Sequence, residues 1–90
     1  MKQLTDAQIF TLRRINNGTP HLLRGDEKKG TTCNIPRDIN CPSLPALFRN
    51  GLIEWRSNAP KDPYTWYWVR LTHAGKIAVA EMKTKAERGQ

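Results

Sequence analysis

The sequence predicts a small α+β domain in which helices pack against a two- or three-stranded antiparallel sheet. Three observations lead there. A capped amphipathic helix opens the chain at Thr5. Two runs rich in aromatic and β-branched residues flank a proline-bearing turn at 57–63. Thr72 then starts another capped helix directly after the second run. Ninety residues hold a single domain, 1–90, with its core over about 4–82 and a frayed tail at 83–90.

In the first helix Thr5 is the N-cap, Gln8 completes a capping box, and Leu4 with Ile9 forms a hydrophobic staple. Ile9, Leu12 and Ile15 share a face with Phe10 beside them, while Arg13, Arg14 and Asn16 point away. Gly18 and Pro20 close the helix. His21-Leu22-Leu23 is a short apolar patch, followed by a charged loop from Arg24 to Gly30. Ile35 and Ile39, four apart around Pro36 and Arg37, are spaced to anchor one or two helical turns.

Pro42–Asn50 reads as a short helix with both prolines in its first turn and Leu44, Leu47 and Phe48 as its apolar stripe. Gly51 at C′ and Leu52 beyond it form a Schellman stop. In the hairpin that follows, alternation sets Tyr67, Val69 and Leu71 on one face and Trp66, Trp68 and Arg70 on the other. Trp55 is expected to pair across the strands with Trp66 or Trp68. Thr72 caps the last helix, whose apolar face is Ala74, Ile77, Ala78 and Met82. On so short a chain that face predicts association into a homodimer.

Hydrophobic residues at 38% with 26% charged are too apolar for disorder. No apolar run approaches the roughly 20 residues of a membrane span, and Met1–Asp6 leads into no signal-peptide core. The expectation is a cytoplasmic protein with no membrane partner. In that compartment Cys33 and Cys41 are expected as free thiols, and with His21 and His73 they match no metal-site spacing. The carboxylates are scattered. Gly25–Thr32 departs from a phosphate loop: it lacks a lysine directly after Gly30, carries two acids, and has no evident strand before it. No enzyme, cofactor or metal site is expected.

The net charge of +7 divides as +3, +1 and +3 over successive thirds. Such a balance favours a polyanionic partner: nucleic acid first, an acidic protein surface second, an anionic membrane third.

Leu47-Phe48-Arg49-Asn50-Gly51-Leu52-Ile53-Glu54, followed by Arg70-Leu71-Thr72-His73-Ala74-Gly75-Lys76, resembles the winged helix-turn-helix domains of bacterial regulators of the MarR type. There the recognition helix ends in Gly-Leu-Ile and the second wing strand runs into Leu-Thr-x-x-Gly. The resemblance covers residues 4–82. It implies a transcriptional regulator of prokaryotic or phage origin that binds double-stranded DNA. Arg37, Asn40, Ser43, Arg49 and Asn50 would lie near the groove, and Arg56, Lys61 and Arg70 on the wing. Pro36 and the loop around Gly30 interrupt the segment where the pattern wants its second helix. The alternative is an adaptor or inhibitor that meets a protein partner through the face carrying Trp66 and Trp68.

Overall fold

Local chemistry places α1 (Asp6–Asn16) where the sequence predicts it. The Gln8 N–H donates to Thr5 Oγ1 at 3.2 Å and the Thr5 N–H to Gln8 Oε1 at 3.0 Å, closing the capping box. Leu4 and Ile9 are both buried, as the staple requires. At the far end Gly18, φ +93°, lets Gly18 and Thr19 donate to the carbonyls of Ile15 and Arg14. The computed structural model describes residues 4–33, 39–84, 87 and 89.

The chain next forms β1 (His21–Arg24), β2 (Gly30–Thr32) and β3 (Ile39–Asn40). This corrects the expected helical turn at Ile39, which is a strand residue; Ile35, Pro36 and Arg37 lie outside the described residues. Then come α2 (Ser43–Arg49), β4 (Ile53–Trp55), β5 (Trp66–Leu71) and α3 (His73–Glu81). The strands make one antiparallel sheet in the order β3-β2-β1-β5-β4, so among the described residues five strands stand where two or three are expected. The cause is non-local. β1 is too short to declare itself, but it pairs with the free side of β5, Leu22 opposite Trp68, and β2 and β3 extend from it.

α2 ends as its sequence dictates. Gly51 has φ +74°, the Gly51 N–H donates to Phe48 at 3.1 Å, and the Leu52 N–H donates to Leu47 at 3.0 Å. Thr72 then caps α3 by accepting from the Gly75 N–H at 3.1 Å. Gly75 is needed for close approach, because a Cβ there would stand 2.0 Å from the Leu52 carbonyl oxygen.

α1, α2 and α3 lie on one face of the sheet. Leu12, Leu44 and Leu47 from the helices meet Leu23 and Val69 from the strands, with Leu52 between, and all are wholly buried. Each such side chain contributes about 1.5–3 kcal/mol. Along β5 burial alternates as predicted, with Val69 and Leu71 inward and Trp66, Trp68 and Arg70 outward. Trp55 does not pair with Trp66 or Trp68. It sits opposite Val69 on the helix-covered face, with its ring 5.0 Å from Phe48 and 5.9 Å from Tyr67.

The apolar face of α3 serves the chain's own core at Ala78, with Ala74 and Met82 packed beside it; Ile77 stays exposed. The expected frayed tail meets a different arrangement at two positions. Thr84 is buried, and Glu87 takes two bonds from the Arg13 guanidinium, at 2.5 and 2.9 Å. No disulfide joins Cys33 to Cys41, and the Cys41 thiol is buried within 3.7 Å of the Thr11 hydroxyl. No helix among the described residues is long and apolar enough to cross a membrane.

Candidate functional site

Of the eight basic and polar residues expected near the groove and on the wing, the seven among the described residues are distributed over several places. Asn40 and Arg49 come together. They line an open cavity of about 460 Å³ with Lys28, Lys29, Pro42 and Pro45, at the end of the sheet beside α2. No carboxylate lines it. Gly30 sets its shape, since a Cβ there would meet the Leu44 side chain at 2.5 Å, so the β1–β2 turn can lie directly against α2.

The turn carries two acids, Asp26 and Glu27, beside Lys28 and Lys29, and one of them is engaged. Arg24 grips Asp26 with two bonds, Nε to Oδ1 at 3.0 Å and the second at 2.5 Å. That hydrogen-bonded guanidinium, helped by the Lys28 N–H, holds the Asp26 carboxyl below its ordinary value. The acid is thus ionised and paired, while among the described residues no carboxylate pairs with Lys28, Lys29 or Arg49.

The other predicted residues lie elsewhere. Ser43 lines a neighbouring groove between α1 and β3 with Phe10, Arg14 and Thr19, and Asn40 and Pro42 border both. Asn50 is the exposed C-cap of α2. Arg70 pairs with Glu54 at 3.0 Å, and the Arg56 guanidinium lies 5.5 Å from the Trp68 ring centroid. Arg37 lies outside the described residues.

Lys61 is occupied within its own loop. Its ammonium donates to the Ser57 carbonyl at 2.8 Å and to that of Ala59, and sits 5.4 and 5.2 Å from the Trp55 and Tyr67 rings. The Tyr67 hydroxyl accepts from the Asp62 N–H at 2.7 Å, fastening the same loop.

Lys28 and Lys29 are the residues sequence reasoning passed over. Their signal was the glycine-bounded loop from Gly25 to Gly30. A strand does precede that loop, and another strand follows, so it is a hairpin turn that carries two cations. Among the described residues no cluster of metal-ligating side chains occurs. No protein family, characterised protein or solved structure matches this chain.

Proposed function

We propose that the chain binds duplex DNA as a winged-helix protein, with the Lys28-Lys29-Asn40-Arg49 cavity as its contact with the phosphate backbone. The observation that carries this reading is that cavity: three cations and an amide gathered beside the exposed end of α2, with no acid among them. The arrangement of β1, β5 and β4 as neighbours, with α2 before the hairpin and α3 after it, supports the winged-helix part. A role in regulating transcription follows from the resemblance.

α2 itself limits sequence readout. Its seven residues turn Leu44, Pro45 and Leu47 inward, leaving Arg49 and the adjoining Asn50 as exposed side chains long enough to reach a base edge. Phosphate contacts therefore dominate, and sequence preference is shallow. The test is fluorescence anisotropy with a blunt duplex of about two helical turns, titrated at several salt concentrations. Lys28→Ala and Arg49→Ala should each weaken binding and lower the salt slope by about one unit. Absence of duplex binding at low salt, or variants that bind as the parent does, overturns the reading.

A further inference from the structure

The helices cover one face of the sheet, and no element among the described residues covers the other. Residues directly opposite each other on neighbouring strands share a face, so the register states what the open face carries. Trp66 lies opposite Arg24. Trp68 lies opposite Leu22, Leu22 opposite Thr31, and Thr31 opposite Asn40. Arg70 and Glu54 lie opposite each other on the same face, two residues along from Trp68, and Arg56 stands beside Trp68. Trp66 and Trp68 are 39% and 44% exposed, and Tyr64, two residues earlier, is 80% exposed. A shallow cavity of about 480 Å³ runs from Trp66 across Leu22 and Thr31 to Lys29 and Asn40.

We propose that this open face binds single-stranded nucleic acid, with unpaired bases stacking on Trp66 and Trp68 and phosphates lying along Lys29 and Arg56. Two indole rings and a leucine on one open surface favour an occupant with flat apolar faces. The charges around them require that occupant to be an anion. Asp26 and Glu54 are engaged by Arg24 and Arg70, while Lys29 and Arg56 have no carboxylate partner among the described residues.

A second copy of this chain would bring those cations against one another. An uncharged apolar protein surface would leave them without counter-charge. A single strand satisfies both demands, since every base has a π face and every nucleotide a phosphate. The spacing fits as well. Alternate residues of a strand stand about 6.8 Å apart, twice the rise of about 3.4 Å between stacked bases, so each ring has room for its own base. In a duplex those base faces are already stacked. The site shares Lys29 and Asn40 with the cavity at the sheet's end and adds the tryptophan rings, which that cavity lacks.

The experiment uses the full chain with an oligo-dT strand, a blunt duplex, heparin and polyglutamate, read by tryptophan fluorescence and by probe anisotropy. Oligo-dT should bind and quench the tryptophans. Trp68→Ala and Trp66→Ala should each weaken that binding by at least about fivefold. Trp68→Phe should lose less, and all three should leave duplex binding unchanged. Circular dichroism shows whether the variants fold. Should the alanine variants not fold, oligo-dT binding by the parent without quenching overturns the proposal. So do folded alanine variants that hold oligo-dT as the parent does. Polyglutamate binding that depends on Trp68, without oligo-dT binding, assigns the face to an acidic protein instead. Duplex binding without oligo-dT binding removes this inference alone; the reverse removes the duplex reading alone.

Discussion

Thr72 and Gly51 are joined by a hydrogen bond of 2.6 Å, from the hydroxyl of the first to the carbonyl of the second. The same hydroxyl oxygen accepts from Gly75, so one side chain fastens the exit of α2 to the entry of α3. The Thr72 N–H adds a third bond, to the Leu52 carbonyl at 3.1 Å. The two sequence motifs behind the winged-helix resemblance are therefore physically one junction, although they lie some twenty residues apart in the chain.

Replacing Thr72 tests that junction. Thr72→Val keeps the shape but loses both side-chain hydrogen bonds, and should cost about 1–2 kcal/mol. Thr72→Ser retains both and should cost less. Urea denaturation of the two variants beside the parent measures the difference, and equal midpoints would show that the hydroxyl contributes nothing.

The glycines flanking the junction should respond differently from each other. Gly51 has φ +74°, and a Cβ placed there would meet nothing within 4 Å, so Gly51→Ala costs only backbone strain, about 1 kcal/mol. At Gly75 the obstacle is the Leu52 carbonyl oxygen, 2.0 Å from a Cβ, and backbone yields poorly. Gly75→Ala should therefore cost about 2 kcal/mol or more. A Gly75→Ala variant as stable as Gly51→Ala would contradict the packing described for α3.

His21 makes stability fall in mild acid. The ring is 1% exposed, its Nδ1 meets the Thr19 carbonyl at 2.9 Å, and Nε2 has no partner among the described residues. Burial lowers its pKa from the ordinary 6.5. The unfolded chain then takes up the proton more readily than the folded one. The full contribution is present above about pH 6.5 and declines as the pH drops below it, toward the depressed folded value. His21→Leu should flatten the melting temperature against pH in that window. An unchanged slope would place the titration on another group.

Glu87 adds a second, more acidic decline. The hydrogen bonds from Arg13, then the Thr84 N–H, bring its pKa from 4.5 to about 2. Stability from this contact is complete above about pH 4.5 and is lost as the pH falls toward 2. Both side chains are partly exposed, so added salt should shrink the effect. Glu87→Gln should remove this part of the acid profile, and a profile identical to the parent's would refute the assignment.

What the sequence made legible is what local chemistry specifies. The capping box at Thr5 and Gln8, the stop at Gly51-Leu52 and the cap at Thr72 each involve residues within a few positions of one another, and all three stand in the structure. The outward turn of Trp66 and Trp68 was legible from alternation alone. β1, β2 and β3 were not. They have four, three and two residues, and their pairing depends on β5 far along the chain. For the same reason the candidate site was half visible. Asn40 and Arg49 could be marked by type, but only the sheet brings Lys28 and Lys29 beside them. Lys61 looked like a free cation at a loop tip because nothing in its neighbourhood announces that Ser57 and Ala59 turn their carbonyls toward it.

The sheet's borders also decide how the molecule can meet others. Its outermost strands are β3, two residues long, and β4, three residues long. On β3 the Ile39 carbonyl already accepts from the Thr31 hydroxyl at 2.9 Å. Among the described residues, so little open border backbone gives an incoming strand almost nothing to zip onto, which guards a tryptophan-bearing sheet against growing sideways into fibrils. The sheet's exposed tryptophans, Trp66 and Trp68, lie on its flat and not along its borders.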